Sequence, residues 1–186
     1  MAEAPEAIVL VEDEAGVEQL NFPANGKLAY LTQTTLSVDD ATRIILALRE
    51  RFPWVESPPK EDICYATQNR QEAVRLLSQE AEIVLVIGSQ NSSNSQRLRE
   101  LGREQGKDAF LIDGVEDIDR NWFKGSDRVL LTAGVSAPES VVQETVEWLV
   151  REFNATVREH AVKEENVHFP LPKPLRQLVK DGSLVE

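Results

Sequence analysis

Ile83-Val84-Leu85-Val86-Ile87-Gly88-Ser89-Gln90-Asn91-Ser92-Ser93-Asn94-Ser95 is the stretch that decides the fold. The run from Ile83 to Ile87 has no polar face. That is the pattern of a strand covered on both sides, as in a parallel sheet with helices above and below it. A polar loop led by Gly88 follows at once, and a helical pattern follows the loop. Ser93 with Gln96 reads as a capping box, Leu98 and Leu101 share one face, and Gly106 ends the helix.

Downstream the pattern repeats. Residues 109–112 read as a second strand with Asp113-Gly114 as its turn. Residues 117–123 read as a short helix or turn, with Trp122 as a core anchor. Residues 129–131 form a third strand, followed by Thr132-Ala133-Gly134-Val135-Ser136-Ala137-Pro138. Ser136 reads as the cap of a long helix, with Glu139 at its third position and Val141, Val142, Val146 and Leu149 as its apolar stripe. Pro138 is tolerated there, because first-turn amides have no partner within the helix.

Upstream, Asp62-Ile63-Cys64-Tyr65-Ala66-Thr67-Gln68-Asn69-Arg70-Gln71 reads as another polar loop, with a helix over residues 72–78 that turns Ala73, Val74 and Leu77 inward. Pro53, Pro58 and Pro59 interrupt the chain before it. The helix ahead of them is capped by Ser37, with Asp40 at the reciprocal position, and carries Ala41, Ile44, Ile45, Leu48 and Phe52 at helical spacing. Residues 7–11 and 28–31 are strand candidates, separated by a short acidic helix over 12–20 and a turn at 21–26. Residues 1–6 read as a disordered lead-in.

Alternation of strand and helix gives an α/β class with a doubly wound parallel sheet. We expect repeated three-layer parallel-sheet domains, one partial and one complete: residues 1–57 as a partial domain, 58–155 as a complete one, and 156–186 as an extended, proline-containing tail.

Composition narrows the function. A formal net charge of -12 opposes binding to nucleic acid or an anionic membrane, since the mean field repels phosphate backbones. No apolar run reaches membrane-spanning length. The first residues are acidic and no apolar core follows them, so no secretion signal is expected. A single cysteine makes no internal disulfide, which fits a reducing, cytoplasm-like compartment, and with two histidines it does not build a closed zinc site.

In a parallel sheet, polar loops at the carboxyl ends of strands gather where ligands bind. Thr34, Thr35, Thr67, Asn69, Ser92, Ser93, Asn94 and Ser136 stand in such loops. Helix starts offer free N–H groups and a partial positive charge, and hydroxyls and amides add neutral donors, so the set suits a small anion such as a phosphate ester. Helix capping is the plainer reading of the same residues. Cys64 has three readings: a buried apolar residue, a nucleophile, or a metal or redox ligand. His160 and His168 lie far along the chain, so a cluster ligand shared with cysteines from elsewhere fits better than a Cys–His pair. Asp39-Asp40 and Glu61-Asp62 read as capping and solubilising groups, and Arg70 as an anion contact or a partner for Glu61 or Asp62. Trp54, Trp122 and Trp148 read as packing aromatics. No Gly-rich nucleotide loop occurs.

Together with Tyr30-Leu31-Thr32-Gln33-Thr34-Thr35-Leu36-Ser37-Val38-Asp39-Asp40, the 62–71 and 88–95 stretches and Thr132 to Glu139 resemble the 4-hydroxy-3-methylbut-2-enyl diphosphate reductase family, also called LytB. Glu165-Asn166-Val167-His168-Phe169-Pro170-Leu171-Pro172 is similar to that family's C-terminal segment. The resemblance implies three α/β domains around a 4Fe-4S cluster held by three cysteines, and reductive removal of the substrate's hydroxyl to give isopentenyl and dimethylallyl diphosphate, the last step of non-mevalonate isoprenoid synthesis. It implies ferredoxin or flavodoxin as electron donor. By the same resemblance, Cys64 is one cluster ligand, Ser92, Asn94 and Ser136 hold the diphosphate with Ser93 beside them, and Thr34 and Thr67 line the cavity near the hydroxyl end. The family's other two cluster cysteines, its diphosphate-binding histidines and its His and Glu for protonation have no counterpart here. We therefore expect the C-terminal part of such a reductase, inactive alone and needing the N-terminal half or a complement chain, in a cytoplasm or a plastid stroma. The competing expectations are a non-catalytic diphosphate- or partner-binding module that has lost the cluster, and a phosphosugar enzyme with Cys64 as nucleophile.

Overall fold

The computed structural model describes residues 5–24, 26–59, 62–125, 127–163, 170–172 and 175–176. Of the lead-in expected over residues 1–6, residues 1–4 lie outside the described residues, as do Glu61 and the tail stretch 164–169 with His168, and Pro5–Ala7 form a 3-10 turn.

The helices are α1 (Glu14–Glu18), α2 (Val38–Arg51), α3 (Tyr65–Leu77), α4 (Ser93–Glu104) and α5 (Glu139–Phe153). The strands are β1 (Ile83–Ile87), β2 (Asp108–Ile112) and β3 (Val129–Ala133). Single 3-10 turns at Val115–Asp117 and Arg120–Trp122 occupy the stretch expected to be a short helix or turn.

The sheet has the order β2-β1-β3 and every pairing is parallel, with Leu85 opposite Phe110 on one side and Leu131 on the other. All of β1 is buried, as its unbroken apolar run requires of a central strand. Alternate residues of β1 face opposite layers. Val84 and Val86 pack with Val74 of α3 and with Leu98 and Leu101 of α4. Leu85 and Ile87 pack on the other face with Ile112, Trp122 and Val141 and Val142 of α5. Trp122 lies flat against Phe110, with ring centroids 3.9 Å apart, so it anchors the core as expected. Gly102 lets α4 approach the sheet: a Cβ there would stand 3.0 Å from that of Ala109 and 3.1 Å from that of Val84.

Residues 5–57 carry a separate small core of Val17, Leu20, Leu48 and Phe52, with Trp54 edge-on to Phe52. The two strands expected here are not formed. Residues 8–11 form no regular element, and 28–31 contribute only a parallel bridge between Ala29 and Glu56. A strand needs a continuous neighbour to satisfy its backbone, and residues 28–31 meet only Glu56, through Tyr30 N–H to Glu56 O and Glu56 N–H to Leu28 O. Val11, Leu28 and Tyr30 pack against the small core, while Leu10 at 67% and Leu31 at 83% exposure stand in solvent.

Three helix starts differ from their sequence reading. α3 begins at Tyr65, well before the expected Glu72, with Cys64 as its N-cap residue. α4 is capped by Ser92, whose Oγ accepts from Ser95 N–H, one residue before the expected Ser93. α5 follows Pro138, and Ser136 caps nothing. Ser37 caps α2 as expected, accepting from Asp40 N–H.

Candidate functional site

β1 leads into α4 on one face of the sheet, while the neighbouring β3 leads into α5 on the other. Two adjacent strands whose connections diverge open a crevice at their carboxyl ends, the switch point of a doubly wound sheet. Gly88 and Gly134 occupy the two strand ends, bonded back through Gly88 N–H to Ile112 O and Gly134 N–H to Ile87 O. Each is glycine for want of room. A Cβ on either would come within 2.2 Å of Ser95 Oγ, and Gly88 has φ +156.

A cleft of about 450 Å³ lies over this crevice, lined by Thr34, Thr35, Cys64, Thr67, Asn91, Ser92, Ser93, Asn94, Val135 and Ser136. Of the residues expected to serve the site, Thr34, Thr35, Cys64, Thr67, Ser92, Ser93, Asn94 and Ser136 are in that lining, and Asn69 is not. Among the described residues the cleft's lining contains no Lys, Arg, His, Asp or Glu. Its positive potential comes instead from helix dipoles: Cys64 and Ser92 are the N-cap residues of α3 and α4, so both helix N-termini open onto the cleft.

Asn94 makes the strongest case for a ligand. It is 5% exposed, yet neither Nδ2 nor Oδ1 has a hydrogen-bond partner. A buried amide left unpaired costs about 1–3 kcal/mol, and a bound anion with its waters would satisfy it. Ser136 is exposed at the rim and unused as a cap, so its hydroxyl is available to the cleft. Thr67 is fully buried one turn after Cys64, which places both on one side of α3.

Thr34 reaches the cleft because the strap 32–37 is tied down along its length. Thr32 N–H donates to Asp62 Oδ2 at 2.8 Å. Cys64 N–H donates to Thr34 O at 3.1 Å. Thr35 Oγ1 and Ser93 Oγ share a hydrogen bond of 2.7 Å. Fully buried Gln71 closes the end of the strap, donating through Nε2 to Leu36 O at 2.8 Å and accepting Val38 N–H on Oε1 at 3.1 Å. Arg97 holds Ser37 Oγ at 2.9 Å and pairs with Asp40, while Arg75 pairs with Asp39.

Several expectations are refined. Arg70 is not in the cleft; its Nε donates to Ala133 O at 3.0 Å and secures the end of β3. Asp39, Asp40 and Asp62 serve the strap and the start of α2, in keeping with a structural reading. His160 lines a different, larger hollow of about 720 Å³ beside Leu77, Val129 and Phe153, so among the described residues no histidine lines the cleft with Cys64. That hollow lies toward the amino ends of β1 and β3 and has no comparable convergence of hydroxyls and amides. Gln71 and Ser95 escaped the sequence reading as contributors. Their signal was spacing: Gln71 falls seven residues after Cys64, two helical turns along the same face.

Cys64 is a free, half-buried thiol within the lining. It can supply one sulfur to an iron–sulfur cluster. A four-iron cluster needs several thiolates, and Cys64 is the only cysteine of the chain. No group of three or more His, Cys, Asp or Glu occurs among the described residues. The donor set therefore fits a ligand contributed to a shared cluster and does not fit a cluster held by this chain alone.

Known proteins are similar to this chain in sequence and fold. The family profile described as LytB protein matches residues 1–150. A 4-hydroxy-3-methylbut-2-enyl diphosphate reductase of Rhodopirellula baltica is 66% identical over 176 residues, covering 95% of this chain and 55% of that protein. The protein of that name from Pseudomonas fluorescens strain Pf0-1 is 52% identical over 170 residues, covering 91% and 54%. The solved structure of the E-1-hydroxy-2-methyl-but-2-enyl-4-diphosphate reductase of Plasmodium falciparum superposes with a TM-score of 0.83 at 36% identity, covering 94% of this chain and 55% of that one. The chain thus spans about half the length of the relatives it matches. Sequence and fold lead to the same place, and the chain belongs to the LytB family.

Proposed function

We propose that this chain is the diphosphate-holding part of a 4-hydroxy-3-methylbut-2-enyl diphosphate reductase and contributes one of three cysteine ligands to its 4Fe-4S cluster. The observation that carries the reading is the neutral cleft between two helix N-termini, with the unpaired amide of Asn94 inside it and Cys64 in its wall. Ser92, Ser93, Asn94 and Ser136 hold the diphosphate through neutral donors, as their position beside the start of α4 and the end of β3 supports. Thr34 and Thr67, on the Cys64 side, orient the hydroxyl end of the substrate. The cluster, when bound, supplies the electrons for reductive removal of that hydroxyl. The residues of this chain bind, orient and exclude water.

An N-terminal half or complement chain supplies the other two cysteines and the proton-delivering groups, while residues 1–57 are part of the reductase's second α/β domain, 58–155 its complete third domain and 156–186 its tail. The bare apolar side chains of residues 8–10 and of Leu31 are consistent with a missing neighbour. Ferredoxin or flavodoxin is the electron donor, and the setting is a cytoplasm or a plastid stroma. No described helix is long and apolar enough to cross a membrane.

Anaerobic reconstitution with iron and sulfide, followed by iron counting and EPR, tests the reading. It is run on the chain alone, on the chain mixed with a polypeptide carrying the remainder of the reductase, and on the mixture with Cys64→Ser. We expect four irons per complex in the mixture only, lost with Cys64→Ser. No cluster in any sample would leave a diphosphate-binding module without redox chemistry.

A further inference from the structure

We infer that Ser95 is a positioning residue that makes Ser92 a dedicated hydrogen-bond donor to the bound anion. The inference rests on the diphosphate reading of the cleft. A serine hydroxyl has one proton to give and two lone pairs to accept with. Both lone pairs of Ser92 Oγ are occupied by the same neighbour: Ser95 N–H donates to it at 3.3 Å and Ser95 Oγ–H at 3.0 Å. The one remaining function of Ser92 is its own O–H, and Ser92 lines the cleft. Its hydroxyl therefore meets a ligand as a donor and has nothing to offer a ligand's N–H or O–H.

The fold holds Ser95 in place for this. Ser95 is fully buried, and its Oγ fills the space left by the missing side chains of Gly88 and Gly134 at the ends of β1 and β3. No larger side chain fits without moving a strand end. Ser95 itself does not line the cleft, so its effect on a ligand runs through Ser92. An acceptor-only ligand, such as an ionised phosphate oxygen, is the chemistry this favours.

The test is a double-mutant cycle on the full chain, with inorganic pyrophosphate as probe and titration calorimetry as readout. Ser95→Ala should weaken binding about three- to tenfold, with circular dichroism and melting temperature close to the parent. Ser92→Ala should weaken it further, and Ser92→Ala/Ser95→Ala should bind like Ser92→Ala alone. A Ser95→Ala loss that persists undiminished in the Ser92→Ala background overturns the inference, as does parental affinity in Ser95→Ala. Hydroxyl-proton NMR of the unsubstituted chain decides the matter if Ser95→Ala misfolds. A slowly exchanging proton on Ser95 and a fast one on Ser92 are expected, and the reverse assignment overturns the inference. Failure of the parent chain to bind pyrophosphate would sink the diphosphate reading instead, leaving the Ser95–Ser92 geometry to the NMR result.

Discussion

Gln71→Leu isolates the contribution of the strap that carries Thr34 into the cleft. Leucine is close to glutamine in size, so the packing on α3 survives, and what is lost is the pair of bonds to Leu36 O and Val38 N–H. A buried backbone group stripped of its partner costs about 1–3 kcal/mol. Leu36 is exposed, so water can reach part of this strap and lower the penalty. The net loss should be about 2–3 kcal/mol. Urea denaturation followed by tryptophan fluorescence reads it as a lower midpoint. Iodoacetamide alkylation of Cys64 reads the local effect, because Cys64 N–H is bonded to Thr34 O in the same strap. Alkylation should quicken about tenfold or more, as about 1.4 kcal/mol of easier opening is a factor of ten. Leu76→Ala, at an exposed site on the same helix, is the control and should change neither readout. A Gln71→Leu chain with stability within about 0.5 kcal/mol of the parent and an unchanged alkylation rate would refute the reasoning, since surface-like sites give effects of that size.

Gly134→Ala puts a Cβ 2.2 Å from Ser95 Oγ and should cost about 1–3 kcal/mol by overpacking, with pyrophosphate affinity falling alongside; unchanged affinity in calorimetry would show that the strand end and the cleft are not coupled. Glu82→Gln tests the ion pair at the amino ends of β1 and β3. Hydrogen bonds from the Arg128 side chain and then from its backbone N–H lower the Glu82 carboxyl from 4.5 to about 2. A carboxyl with a depressed folded-state pKa stabilises the fold fully above its unfolded value and loses that contribution as pH falls through the folded one. The melting temperature of Glu82→Gln should therefore lie below that of the parent near pH 6, and the gap should close between about pH 4.5 and pH 2. A gap that stays constant over that window would mean the carboxylate is not what matters.

The sheet was legible in the sequence because its determinants are local and apolar. The run Ile83 to Ile87 states its own burial, and the parallel order follows from the alternation with helices. The site loops were legible because they follow those strands. The strap and the start of α3 were not. The buried side of α3 runs through Thr67, Gln71, Val74 and Ser78, so most of it is polar. Hydrophobic periodicity sees only Val74 there and finds the helix a full two turns late. The fixing partners are also remote, with Gln71 reaching Leu36 across 35 positions and Arg97 reaching Ser37 across 60. Residues 7–11 and 28–31 failed in the opposite sense. Their strand propensity is real, but a ladder is a property of pairs, and one chain segment cannot form it alone.

The uncharged lining of the cleft has a further consequence. A site built on lysines or histidines loses its pull on an anion when those groups release their protons. Here the attraction comes from peptide dipoles, hydroxyls and an amide, none of which titrates in water between acid and strong alkali. The attraction that these neutral donors supply is fixed by the backbone and is the same at pH 5 as at pH 9. Any pH dependence of capture must originate in the ligand's own phosphates or in groups other than these donors.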